Sequence, residues 1–200
     1  MNYLAHILLS GNSENVIMGN FVGDFVKGRL LHEKYPDWSK EYLLGLRLHR
    51  FIDYYTDTHA VVREAKKRIA LRYGRISGII VDIYFDYFLA SDFLNFCPIP
   101  LTEYSQNMYA LFERRKEMVP NSMQGMVSHM VRQNWLLSYA TLEGIDLTFS
   151  RMSRRAEFLL PIQNAGMELR NNEDIYRRYF KEFYPELTLA SNIFLQNSLQ

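Results

Sequence analysis

The 200-residue chain has one cysteine, Cys97. That excludes an intramolecular disulfide framework and fits a reducing compartment. It has no excess charge of either sign: 23 Lys and Arg face 22 Asp and Glu, a formal +1. A generally basic nucleic-acid binder is therefore not expected, although a local basic patch is allowed. The apolar stretch 76–88 is too short to span a bilayer and carries Asp82 and Asp86. The apolar N-terminal run is interrupted by His6 and lacks a basic n-region and a small-residue cleavage site. No secretory signal or membrane segment is expected, and the expected address is the cytoplasm. Also absent are a Gly-rich phosphate loop, a Gly-x-Ser-x-Gly elbow and a CxxC pair. Cys97 precedes Pro98 without a basic neighbour, so it does not read as a nucleophile.

Nor is there a repeat, a low-complexity tract or a Gly/Ser linker, so residues 1–200 read as one domain. A chain this long buries roughly 70% of its unfolded surface and needs no disulfide to fold. What is there is helical periodicity. Leu43, Leu44, Leu46, Leu48, Phe51 and Ile52 form one stripe, and Ile79, Ile80, Ile83, Phe85 and Leu89 another. Breaks fall at Gly11-Asn12, Tyr35-Pro36-Asp37, Gly74, Cys97-Pro98-Ile99-Pro100, Pro120-Asn121, Pro161 and Pro185. Asp37 and Ser39 precede one helix, Thr58 the next, and Thr102 and Asn121 open two more. The expectation is an all-α domain of eight to ten helices.

Polar residues recur on these helices at spacings that stack them. His49, Asp53 and Asp57 lie at i, i+4 and i+8, one above another. Two carboxylates so placed repel unless a cation or hydrogen-bond donors sit between them. Asn20 and Asp24 repeat the spacing, as do Asp82 and Asp86 inside an otherwise apolar helix. Acidic groups in such a helix point to the interior, where a lone carboxylate is costly. His6 adds an imidazole in an apolar run, and His59 follows the His49 row. Each pair alone also fits a cap, a solvated face or an ion pair with Arg47, Arg50 or Arg63. Together they point to one metal or catalytic centre, with oxygen and nitrogen donors suited to Mn, Mg, Fe or Zn. His129, among Met126, Met130 and Arg132, reads as structural.

The segment 63–75 carries six cations against one acid, with Arg63, Lys66, Lys67 and Arg72 on related turns and Ile69, Ala70 and Tyr73 as apolar anchors. Flanked by the two acidic helices, it would attract an anionic substrate or an acidic protein. Arg151, Arg154 and Arg155 form an alternative basic group.

Four motifs in order carry a resemblance. They are Met1-Asn2-Tyr3-Leu4-Ala5-His6, then Gly19-Asn20-Phe21-Val22-Gly23-Asp24-Phe25-Val26-Lys27-Gly28, then Gly45-Leu46-Arg47-Leu48-His49-Arg50-Phe51-Ile52-Asp53 with Thr56-Asp57-Thr58-His59, and Asp82-Ile83-Tyr84-Phe85-Asp86-Tyr87-Phe88-Leu89-Ala90. Together they resemble the acyl carrier protein phosphodiesterases, or holo-acyl-carrier-protein hydrolases. The resemblance implies an all-helical cytoplasmic enzyme related to the HD-type phosphohydrolases. It implies hydrolysis of the phosphodiester joining 4'-phosphopantetheine to a serine of acyl carrier protein, usually with Mn(II). By position, His6, Asp24, His49, Asp53, Asp57, Asp82 and Asp86 then become candidate metal ligands. Asp53 or Asp86 would orient the water, His59 would protonate the leaving serine and Arg50 would hold phosphoryl charge. Arg63, Lys66, Lys67 and Arg72 would dock the acidic carrier. Where the family reads Asp-His-Phe-Leu-Ala followed by Trp, this chain has Tyr87 after Asp86, and Phe93. If that histidine acts in the family, this chain uses another group or has altered or lost activity. The rival readings are a hydrolase of another small phosphoester and a non-catalytic binder of an acidic partner.

Overall fold

A computed structural model describes residues 1–30 and 37–198, which form eleven α-helices and no strand. They are α1 (Tyr3–Leu8), α2 (Glu14–Phe21), α3 (Lys40–Thr58), α4 (Ala60–Tyr73), α5 (Ser77–Ser91), α6 (Leu101–Arg114), α7 (Asn121–Arg132), α8 (Trp135–Ser138), α9 (Leu142–Ser153), α10 (Ala165–Asn171) and α11 (Glu173–Ser198). No helix among the described residues is long and apolar enough to cross a membrane. The all-helical expectation holds. The extra helix over the eight to ten expected reflects short elements such as four-residue α8, too brief to show a period.

Helix α5 runs through the middle, with Ile80, Val81, Ile83, Tyr84, Phe85, Phe88 and Leu89 all buried. It packs against α1, α4, α9 and α11, so a helix apolar nearly all round has partners nearly all round. Helix α3 starts where Ser39 Oγ accepts from Tyr42 N at 3.1 Å, and it lays its leucine stripe against α2, α4 and α11. The Tyr35-Pro36 break lies outside the described residues.

Three boundary expectations change. Thr58 ends α3 instead of capping α4: its hydroxyl donates back to Tyr54 O at 2.7 Å, and the extended backbone of His59 makes the corner. Thr102 and Asn121 lie inside the first turns of α6 and α7, which Pro100 and Pro120 precede. Pro185 breaks nothing and sits within α11. Both Pro185 and Lys181, whose carbonyl loses its helical partner, are exposed, so water can take that bond. Phe183, Tyr184 and Leu187 hold the helix in the core.

Helices α2 and α3 approach backbone to backbone. A Cβ on Gly19 would lie 2.1 Å from Tyr42 O, and one on Gly45 2.2 Å from Val16 O. This approach sets Asn20 beside His49. A Gly45→Ala variant must push the helices apart and should lose about 3 kcal/mol in urea unfolding, an overpacking cost. An unchanged urea midpoint would show that the pair can open without cost.

Candidate metal centre and active site

His6 of α1 meets His49 and Asp53, one turn apart on α3, around one point. His6 Nε2 lies 3.2 Å from Asp53 Oδ1, and His49 Nε2 lies 3.2 Å from Asp53 Oδ2. Asp24 Oδ1 is 3.4 Å from the same His49 nitrogen. One donor atom from each of His6, His49 and Asp53 fits within 4.8 Å of the others. Gly23 is required beside them, since a Cβ there would lie 2.1 Å from the His49 ring.

Asn20 fixes which nitrogen of each ring is free. Its Nδ2 donates to His6 O at 2.7 Å and to Ser10 Oγ at 2.8 Å, so its Oδ1 is left to accept from His6 Nδ1 at 2.8 Å. Its backbone carbonyl accepts from His49 Nδ1 at 2.8 Å. Both imidazoles therefore carry hydrogen on Nδ1 and, when neutral, turn an Nε2 lone pair toward a carboxylate. Lone pair against carboxylate is repulsive, and buried His49 Nε2 has no hydrogen-bond partner while the ring is neutral. Each nitrogen needs a proton or a cation.

Two protons suit the site poorly. The rings stack with centroids 4.2 Å apart and an interplanar angle of 23°, so two imidazolium ions would repel. Burial, and then the charge of His49, hold His6 below the ordinary histidine range. Burial works against a proton on His49 too, but hydrogen bonds to Asp24 and Asp53 outweigh it and push the group up to about 9. Burial opposes the charge on Asp53, yet the two imidazoles keep it well below the carboxylate range. The His49 hydrogen bond does the same for Asp24. A divalent cation would satisfy both nitrogens and the carboxylate at once. Two imidazoles with one or two carboxylates form a donor set for Mn, Fe or Zn.

His6, Asp24 and Asp53 open into a cavity of about 390 Å³, which Asp57 and Asp82 also line. Those two carboxylates have other partners: Lys66 Nζ lies 2.6 Å from Asp57, and the Met1 ammonium lies 2.9 Å from Asp82. The i+8 member of the His49 row thus turns away from the histidines. Asp86 is fully buried and is no cavity residue. Its two oxygens accept from Asn2 N at 3.2 Å and Leu4 N at 2.9 Å, which caps the start of α1. Burial pushes its carboxyl up to about 7.

His59 is also elsewhere, with Nε2 3.2 Å from Glu186 and its ring edge-on to Phe183 of α11. Arg50 donates to Val26 O at 3.1 Å outside the cavity lining. Neither is placed to act on a ligand in the cavity. Tyr87, one position on from Asp86, faces α11 and donates to Glu173 at 3.1 Å. The histidine-to-tyrosine departure therefore lies away from the His6–His49 centre.

Another wall of the cavity comes from Trp135 of α8, Arg151 of α9, and Tyr139 and Arg155 just beyond those helices. Arg151 and Arg155 read from the sequence only as a surface group, because nothing in a local pattern ties them to residues a hundred positions earlier.

The family model for acyl carrier protein phosphodiesterase matches residues 1–187. An acyl carrier protein phosphodiesterase of Photorhabdus laumondii is 29% identical over 188 residues, covering 92% of each chain. Its namesake from Klebsiella pneumoniae is 29% identical over 198 residues, covering 96% of this chain and 98% of its own. That from Pectobacterium atrosepticum is 27% identical over 188 residues, covering 94% and 95%. No solved structure matches the chain. With the match spanning nearly its whole length, the chain belongs to the acyl carrier protein phosphodiesterase family.

Proposed function

We propose that this protein hydrolyses the phosphodiester between phosphopantetheine and a serine of acyl carrier protein, with a divalent metal, Mn(II) foremost, held by His6, His49 and Asp53 with Asp24 beside them. The observation that carries this reading is the pair of imidazoles locked by Asn20 so that both free nitrogens meet one carboxylate at an open cavity. A bound divalent ion supplies an activated water and neutralises phosphoryl charge. Asn20 keeps both rings in the ligating tautomer. Asp24, exposed at the rim beside His49, would orient the attacking water. Asp57 and Asp82 line the cavity with their charge already compensated, so they shape it without adding to the repulsion of a phosphate.

The partner in this reading is the acidic carrier protein. A shallow groove along α4 is lined by Arg63, Lys66, Lys67 and Arg75, and it shares Asp57, Ile79 and Asp82 with the main cavity. A carrier docked there would have a direct route for its prosthetic arm. Of the apolar anchors expected on this helix, Ile69 and Tyr73 are buried in the core and Ala70 alone is exposed. Arg72 lies over the Tyr73 ring, off the groove. Docking therefore rests on charge. Arg63→Glu with Lys67→Glu is expected to slow association about tenfold at low salt, with the loss shrinking as salt screens it. Turnover curves against salt that coincide with wild type would move the docking surface off α4.

The reading itself is tested by the intact mass of holo-carrier protein after incubation with chelator-treated protein, alone and with Mn(II). Conversion to the apo mass in the second tube only is the expected result. Unchanged holo-carrier in both tubes would overturn the reading.

A further inference from the structure

We propose that Arg151 and Arg155 bind the phosphoryl group of the substrate and that Trp135 is the positioning residue that holds them ready. The proposal deepens the phosphodiesterase reading, and its kinetic arm rests on that reading.

Both guanidinium groups lie over one indole, each with its central carbon 5.9 Å from the Trp135 ring centroid. Among the described residues neither makes an ion pair, although arginines elsewhere in the chain do, as Arg170 does with Asp146 and Arg177 with Asp92. Two like charges over one ring repel, and an anion in the cavity that both line relieves that repulsion. They line the cavity that His6, Asp24 and Asp53 open into, and also a second hollow beyond Trp135 that contains Phe25 and Met126. Trp135 and both arginines are thus shared between the two hollows.

The platform under them is held from both sides. Asn134, just before Trp135, has φ +48°, a conformation Asn tolerates better than most residues. Its Oδ1 accepts from the Tyr109 hydroxyl at 3.0 Å, and that hydroxyl accepts from Leu136 N at 2.9 Å. The indole itself donates to Gln133 Oε1 at 3.0 Å. A backbone placed in an uncommon region and pinned by a tyrosine from another helix marks a side chain whose position is specified. Stacking on that ring limits the freedom of both arginines before an anion arrives, which lowers the entropy cost of binding. The planar fork of arginine matches two phosphoryl oxygens at once.

The binding arm uses chelator-treated protein, so that phosphate does not report on a metal. In a Trp38→Phe background Trp135 is the remaining tryptophan. Inorganic phosphate is titrated at constant ionic strength, with chloride as the balancing anion. A saturable change in Trp135 emission is expected, weakened about 10- to 100-fold in Arg151→Gln with Arg155→Gln. Phosphate-induced thermal stabilisation gives a second readout for Trp135 variants: Trp135→Phe should keep it and Trp135→Leu should lose it, with helical circular dichroism the same in both. In the kinetic arm, Arg155→Lys keeps the charge and removes the fork. It should raise KM for holo-carrier protein about tenfold with a smaller change in kcat.

Emission that follows chloride and phosphate alike, or a double variant that responds like its parent, would overturn the phosphate role. Equal phosphate stabilisation in Trp135→Phe and Trp135→Leu would overturn the positioning role. A normal phosphate response in a protein that leaves holo-carrier intact with Mn(II) would uphold the anion site and refute the phosphodiesterase reading instead.

Discussion

Asp53→Asn is expected to lower turnover of holo-carrier protein on the order of 10³-fold, the scale of losing a group that organises the charge of the reaction. The two oxygens of Asp53 face different histidines, at 3.2 Å each. Asparagine keeps the shape but is neutral, so both imidazole nitrogens lose the Asp53 charge and one of them faces an amide that donates. Divalent-metal affinity should fall with activity. The fold should survive, because the new amide can donate to an unprotonated His Nε2 and the Asn20 contacts on the far side of both rings are untouched. Without the Asp53 charge, His49 should also titrate closer to its ordinary value, which NMR of the ring would read. Full turnover in Asp53→Asn would remove this carboxylate from the chemistry.

Mn(II) affinity is expected to climb about tenfold for each unit of pH up to about 9, and then level off. In the metal-free protein His49 holds a proton to about 9 against an ordinary value of 6.5, despite burial, because Asp24 and Asp53 accept hydrogen bonds from it. The metal must displace that proton, so each unit of pH below 9 weakens apparent binding about tenfold. The stability sign follows from the same shift. A raised folded value stabilises the metal-free fold fully below pH 6.5, and the contribution is lost as pH rises through about 9. His6 is shifted the other way, so its linkage acts below 6.5 and leaves this window to His49. Metal-loaded protein carries no proton to lose. The gap in melting temperature between loaded and metal-free protein should therefore widen across 6.5 to 9, and His49→Ala should flatten it. A gap that stays constant with pH would mean that His49 is not displaced by the ion.

The His49–Asp53 pair was legible in sequence because i and i+4 on a helix leave little choice of geometry. His6 was legible as an imidazole in an apolar run, but its partner was not. The part played by Asn20 depends on a backbone carbonyl and an amide orientation, and neither has a spacing. The Asp82–Asp86 pair shows the limit of periodicity: Asp82 lines the open cavity, Asp86 alone is fully buried, and burial does not separate a ligand from a helix cap, which is what Asp86 is to α1. His59 misled because sequence proximity to the His49 row suggested spatial proximity, while the extended corner after Thr58 sends its ring to α11. The all-helical fold followed from the stripes, which long helices display. Pro185 misled because a solvent-facing proline in a helix anchored by Phe183 and Leu187 costs less than its local rule implies. The wall made by Trp135, Arg151 and Arg155 had no local signature, since its meaning comes from residues brought opposite it by folding.

His6, His49 and Asp53 are proposed to form one cation site. The most direct test is anomalous diffraction at the manganese edge from crystals grown with Mn(II). A peak between His6 Nε2, His49 Nε2 and the Asp53 carboxylate is the expected result. A peak held by Asp57 and Asp82 with the His6–His49 point empty, or no peak in protein that is turning over holo-carrier, would contradict it.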